Sequence, residues 1–218
     1  MSVHQIHDFL AGLAANNHKE WMDAHRAEYL EAKQHFESLV DQVIAQVSAF
    51  DKDLTGLRAK DCIFRINRDI RFSKNKEPYK TNFGASIMQG GRKSGHPGYY
   101  LHIKPGENFV GGGLYMPPAE ELKKIRQEID YNGDELMGIL EDPSFKKAFP
   151  EQHGEQLKTA PKGYPKDHPH IEQLRYKSFI FLHRFTDSQA RSADFLDQIT
   201  GTIKVIKPVI DFLRRGLD

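Results

Sequence analysis

At Cys62 the spacing of apolar residues changes from a helical period to a period of two. Upstream, Phe9, Leu10 and Leu13 share one helical face, and Asn16-Asn17 interrupts it. Trp21, Met22, His25, Tyr29, Phe36, Leu39, Val40, Val43, Ile44 and Val47 then continue an apolar stripe at i, i+3, i+4 spacing. Glu20, Asp23, Glu28, Glu31 and Glu37 occupy the opposite, solvated side. From Cys62 onward, Phe64, Ile66, Ile70 and Phe72 fall on even positions, while Arg65, Asn67, Asp69, Arg71 and Ser73 fall on odd ones. This alternation predicts a half-buried strand, interrupted on its apolar side only by Arg68.

The rest of the chain keeps this order of helices, strands and helices. Ser73 to Pro78 reads as a turn, Tyr79 to Met88 as a second extended stretch, and Gly90 to Gly95 as a loop. Tyr99, Leu101 and Ile103 alternate with Tyr100, His102 and Lys104, and the Pro105-Gly106-Glu107-Asn108 turn leads into a strand from Phe109 to Tyr115. Pro117-Pro118 opens a helix, a second helical piece covers Asp134 to Leu140, and a shorter one follows Asp142-Pro143. Residues 150–170, with Pro150, Pro161, Pro165 and Pro169, form a long irregular connection. Ser178 to Phe185 reads as a buried strand, and Ser188 to the end as a helix interrupted near Gly201 and Pro208. The pattern predicts an α+β fold for residues 1–218 as a single domain. A largely antiparallel sheet of about five strands is flanked by N-terminal and C-terminal helices.

Composition narrows the function classes. A chain of 218 residues can bury a full core. Its single cysteine, Cys62, excludes an intramolecular disulfide framework and a cysteine-based zinc site, and its place on the apolar side predicts an inert buried thiol. The N-terminus lacks the basic and apolar regions of a secretion signal, and no run approaches a membrane span, so a soluble cytoplasmic protein without membrane partners is expected.

Charge is segregated beneath a net value of +1. Residues 1–57 carry a net −5, residues 58–104 a net +8, and residues 105–218 a net −2. A nearly neutral chain therefore carries a strongly positive local field. On a strand, Arg65, Asn67, Asp69 and Arg71 project from one face at intervals of roughly 6.5–7 Å. Arginine offers planar, permanently charged donors suited to phosphate or carboxylate. Asp69, between arginines, is expected to have a depressed pKa and to orient them. Arg65, Asn67, Asp69, Arg71, Lys74, Lys76, Tyr79 and Lys80 thus form a candidate binding strip for a small anion, with Tyr79, Tyr99 and Tyr100 available for stacking. Nucleic acid is a less favoured partner. Arg68, pointing to the apolar side, is expected to form a structural ion pair with a carboxylate of the N-terminal helices.

The segment from Arg65 to Thr81 resembles the hallmark of a family of microbial and fungal proteins classed as a domain of unknown function. The matching residues are Arg65, Arg68, Asp69, Arg71, Phe72, Lys76, Pro78, Tyr79, Lys80 and Thr81. Asn16-Asn17-His18-Lys19-Glu20-Trp21, His25-Arg26, Tyr29, Pro97-Gly98-Tyr99-Tyr100, Pro161-Lys162-Gly163-Tyr164 and Asp167-His168-Pro169 extend the resemblance over the chain. It implies a single intracellular domain and no particular activity or cofactor.

Other candidate chemistry is sparse. His102 becomes a general acid or base if its strand lies beside the arginine strand; otherwise it is a cross-strand surface histidine. His168 is the second candidate proton carrier. The His168-Pro169-His170 segment reads as loop histidines rather than a metal site, and no metal ligand set is assigned. His4 and His7 are expected to be exposed near a mobile terminus. Gly111-Gly112-Gly113 marks a bulge or a close approach, and Trp21, His25 and Tyr29 read as packing. No phosphate-binding loop of the G-x-x-x-x-G-K-[ST] type, no G-x-S-x-G elbow and no H-E-x-x-H occurs. Three functions remain: binding an anionic ligand, acting on a phosphorylated or carboxylated metabolite, or a purely structural network of arginines and carboxylates.

Overall fold

A computed structural model describes residues 3–218. Helices α1 (Val3–Ala15), α2 (Lys19–Ala24) and α3 (Arg26–Val47) are followed by a short 3-10 turn and α4 (Ala59–Cys62). Strands β1 (Phe83–Ile87), β2 (Gly98–Ile103) and β3 (Asn108–Leu114) come next, then α5 (Ala119–Glu141) and α6 (Pro143–Ala148). The chain closes with β4 (Gln152–His153), α7 (Ile171–Leu174), β5 (Phe179–Phe185), α8 (Asp187–Ala190) and α9 (Phe195–Arg215). The strands form an antiparallel sheet in the order β1-β2-β3-β5-β4. The α+β class, the antiparallel sheet and its flanking terminal helices are those that the periodicity predicts. No helix among the described residues is long and apolar enough to cross a membrane.

Strand register divides the sheet into two unlike faces. Phe83, Ala85, Ile87, Tyr99, Leu101, Ile103, Val110 and Leu114 are buried on one face. Phe36 of α3 stacks on Phe83 with ring centroids 5.3 Å apart, and Ile206 of α9 sits over Gly112, where a Cβ would come within 2.8 Å of it. The other face carries Gly84, Ser86, Gly98, Tyr100, His102, Phe109, Gly111, Gly113, Ile180 and Leu182, and among the described residues no helical residue lines the cavity upon it.

Several expectations are corrected. The predicted strand from Cys62 to Ser73 does not form. Cys62 ends α4, and the chain then joins β1 through the Ile63–Ala85 bridge and the bond from Phe64 N–H to the Gly84 carbonyl at 3.0 Å. It next leaves the sheet as a two-stranded ribbon. Asn67 bridges Tyr79, Arg68 N–H donates to the Pro78 carbonyl at 2.9 Å, and Lys80 N–H to the Ile66 carbonyl at 2.8 Å. Pro78 lacks a ladder donor, so pairing stops there. Phe72, expected on the buried side, is 95% exposed. Arg65, Asn67, Asp69 and Arg71 are nonetheless all exposed, as the alternation requires.

The C-terminal helix is not broken where glycine and proline suggested. α9 runs through Gly201 and Pro208 because its apolar face, including Ile199, Ile203, Ile206, Val209, Ile210 and Leu213, is buried along its length. An internal proline costs about 3 kcal/mol, and burial of several such side chains at about 1.5–3 kcal/mol each outweighs it. The two helical pieces expected after Pro118 belong to α5, with non-helical Asn132 (φ −125°, ψ 25°) between them. The irregular connection after Phe149 contains β4, which pairs with β5, and β5 itself is half-buried rather than fully buried.

His7 is 1% exposed, not at a mobile surface. Its Nδ1 accepts from Arg191 Nε at 3.2 Å, so Nε2 carries the proton and donates to Asn108 Oδ1 at 2.8 Å. Asn108 Nδ2 in turn donates to Asp187 at 2.7 Å. The network fastens α1 to the β2–β3 hairpin and α8.

Candidate ligand-binding cavity

The uncovered sheet face holds a cavity of about 650 Å³. That lies within the 300–1,000 Å³ range usual for small-molecule sites. Its surface is shaped by glycines that let neighbouring side chains lie flat. A Cβ on Gly84 would collide with the Tyr100 hydroxyl, one on Gly111 would come within 2.6 Å of Leu182 Cδ2, and one on Gly98 within 2.5 Å of Met88 Cβ. The Gly111-Gly113 run is therefore a place of close approach. Above this surface stands an aromatic wall. Phe64 and Tyr100 are 6.3 Å apart, Tyr100 and Phe109 5.8 Å, and His102 stacks on Phe109 at 4.5 Å and 9°.

Charge on the lining is one-sided. Arg65, Lys80 and Arg92 line the cavity with His96 and His102, and no aspartate or glutamate does. Lys80 Nζ donates to the Arg65 carbonyl at 3.1 Å and lies 5.4 Å from the centre of the Phe64 ring. Burial lowers the Lys80 pKa, and the charge of Arg65 lowers it further. A negative charge between these groups would offset both effects by favouring the charged ammonium.

Of the strip read from the sequence, Arg65 and Lys80 reach the cavity. Asp69 and Arg71 pair with each other instead, through contacts of 2.9 and 2.6 Å, and the Arg71 hydrogen bond holds the Asp69 carboxyl below its usual range. Lys76 Nζ donates to the Ile70 carbonyl at 3.0 Å, while Asn67 and Lys74 are exposed on the ribbon. Tyr79 is buried rather than free to stack. Its backbone is clasped by Asn17, which donates to the Tyr79 carbonyl at 3.0 Å and accepts from its N–H at 3.1 Å. Arg68 lies 3.6 Å from Glu77 across the ribbon, so its carboxylate comes from the same excursion and not from the N-terminal helices.

The two histidine candidates separate. His168 does not line the cavity. Its Nε2 is 2.9 Å from Asp130 Oδ1 and its Nδ1 accepts from the His170 N–H at 3.0 Å, while His170 lies 3.4 Å from Asp134. These contacts pin the long connection onto α5 around its Asn132 kink. His102 does line the cavity, but its strand lies between β1 and β3 rather than beside an arginine strand. Burial pushes its pKa down to about 4, and its Nε2 is buried without a hydrogen-bond partner. It is therefore neutral at pH 7.

This has a consequence for stability. With the folded pKa below the unfolded value near 6.5, the unfolded chain takes up a proton first as pH falls. Stability is thus lost progressively between pH 6.5 and about 4. Urea midpoints of His102→Phe across this range should decline less than those of the parent protein. The substitution should also preserve the stack on Phe109 and remove the unpartnered nitrogen.

Sequence reasoning passed over Phe64, Arg92, His96 and Phe109. Phe64 read as a core residue, whereas it is half-buried against the cavity. Arg92 and His96 border the glycine-rich loop, whose composition was visible although its fold toward the sheet was not. Cys62 is buried, and its thiol is pushed up to about 12 by burial, as expected of an inert group.

The fold and cavity define an α+β protein whose antiparallel sheet is covered by helices on one face and carries a cation-bordered aromatic cavity on the other. The chain belongs to the family described as "Conserved hypothetical protein (DUF2461)", which it matches over residues 5–212. No curated protein and no solved structure matches it.

Proposed function

We propose that this protein binds a small ligand with an apolar, ring-bearing body and an anionic group, phosphate or carboxylate, seated on the uncovered face of the sheet. The observation that carries this reading is a 650 Å³ aromatic cavity lined by Arg65, Lys80 and Arg92 and by no carboxylate. Arg65 and Lys80 hold the anion against the Phe64 edge of the cavity. Arg71, Lys74 and Lys76, outside it on the ribbon, add to the field that draws an anion toward its mouth. Nucleic acid is the weaker partner, because the cations needed to track several phosphates are partly engaged with Asp69 and Ile70.

Calorimetric titration with a biphenyl monocarboxylate and with its neutral carboxamide tests the reading. The carboxylate should bind more tightly. Arg65→Ala should weaken it by about tenfold, the loss of one charge-assisted hydrogen bond, without changing the melting temperature. Equal affinity for the two probes, or an unchanged affinity in Arg65→Ala, would overturn it.

A catalytic version is favoured by one placement: Tyr100 and His102 stand 6.1 Å apart inside the cavity. Turnover of a phosphorylated or carboxylated aromatic substrate that disappears in His102→Ala would support it.

A further inference from the structure

The cavity has positive charge at two separated places. Arg65 follows Phe64, which is hydrogen-bonded to Gly84, whereas Arg92 is anchored to the last turn of α4. Arg92 Nη1 donates to the carbonyls of Lys60 and Asp61, both at 3.0 Å, and its backbone N–H donates to the Asp61 carbonyl at 3.1 Å. These bonds fix the guanidinium through Nη1, and among the described residues Nε and Nη2 have no hydrogen-bond partner. The Asp61 side chain itself is paired with Arg58, 3.5 Å away. Gly91 makes this placement possible, since at φ 77° a Cβ there would come within 2.8 Å of the Asp61 carbonyl. His96, exposed just past the same loop, also lines the cavity.

Cys62, Ile63 and Phe64 separate Asp61, in the last turn of α4, from Arg65, and alongside them the lining runs from Gly84 in β1 to Met88, one residue past its end. That corresponds to about 13 Å. Between the two ends lie Tyr100 and Leu182 and no charged side chain.

We infer that the cavity takes a two-headed anion: a ligand with an acidic group at each end of a flat apolar middle. One group sits at Arg65 and Lys80, and the second at Arg92 and His96. This deepens the binding reading above and rests on it. The span suits an extended aromatic diacid or an aromatic carboxylate bearing a distal phosphate.

The test compares two probes in calorimetric titrations: a biphenyl with a carboxylate at one end, and the same biphenyl with a carboxylate at each end. The two-headed probe should bind the unmodified protein at least about tenfold more tightly. Arg92→Met should abolish that preference, and Arg92→Lys should retain part of it. Arg65→Met should weaken both probes. Equal affinities in the unmodified protein overturn the second anion site while leaving the first intact, and this comparison needs no variant to fold. A preference that survives Arg92→Met also overturns it. Failure of both probes to bind overturns the cavity reading and this inference together.

Discussion

Arg214→Met should lower the unfolding free energy by about 3–5 kcal/mol, the cost of leaving a buried charge without its partner. For a chain of this size that corresponds to a fall of about 6–20 °C in melting temperature. Arg214 Nη1 donates to Asp51 Oδ1 at 2.8 Å and to Asp53 Oδ2 at 2.9 Å, while Tyr99 Oη donates to Asp51 Oδ2 at 2.8 Å. Asp51 is only 2% exposed. Burial raises its pKa, but hydrogen bonds from Arg214 and Tyr99 outweigh burial and leave it below the usual range. Its stabilising contribution is therefore present above the unfolded carboxylate pKa and is lost as pH falls through the folded value. In Arg214→Met burial is opposed chiefly by the Tyr99 hydrogen bond, so the Asp51 pKa rises and this contribution shrinks. The deficit should be larger at pH 7 than at pH 4, as read by urea denaturation at both pH values. Replacing Asp51 and Arg214 together by apolar residues should recover much of the loss. Arg71→Met, which breaks the exposed Asp69 pair, should leave the melting temperature unchanged.

Gly113→Ala should cost about 3 kcal/mol, combining an unfavourable backbone conformation with overpacking. Gly113 has φ 136°, and a Cβ there would collide with the Phe179 carbonyl on the neighbouring strand. That carbonyl belongs to the β3–β5 pairing and cannot move aside without opening the ladder. The same change at Gly201, an exposed helical position with no atom within 4 Å of the added carbon, should stabilise by about 0.5–1 kcal/mol. Chemical denaturation of both variants reads the opposite signs directly. Equal effects at the two positions would contradict the strand geometry assigned to Gly113.

The helices and the central strands were legible because burial imposes a period on them. Phe9, Leu10 and Leu13 mark α1, and Leu101 and Ile103 mark β2, by spacing alone. The arginine segment shows where spacing stops being decisive. Its alternation correctly exposes Arg65, Asn67, Asp69 and Arg71, but a period of two does not say whether a partner strand exists, and here the partner is only the short stretch from Pro78 to Lys80. α9 shows the converse, since tertiary burial holds a helix together across Gly201 and Pro208.

The site was legible in part for the same reason. The positive sum over residues 58–104 located Arg65, Lys80 and Arg92 in one region of the chain, and strand alternation placed Tyr100 and His102 on one face. What local sequence did not carry is long-range pairing. β3 sits between β2 and β5, and this brings Phe109, Gly111 and Leu182 to the face that Phe64 and Arg65 border. The buried arginine was likewise misplaced: the deeply set ion pair is Arg214 with Asp51, residues 163 positions apart, and not Arg68.

The central claim, an anion site on the uncovered face of the sheet, is tested most directly by titrating the biphenyl monocarboxylate into isotopically labelled protein and following its amide and arginine side-chain resonances. The account predicts shifts concentrated at Arg65, Lys80, Gly84, Tyr100, Phe109 and Gly111. Shifts confined to residues 69–77 of the ribbon, with the sheet resonances unmoved, would contradict it.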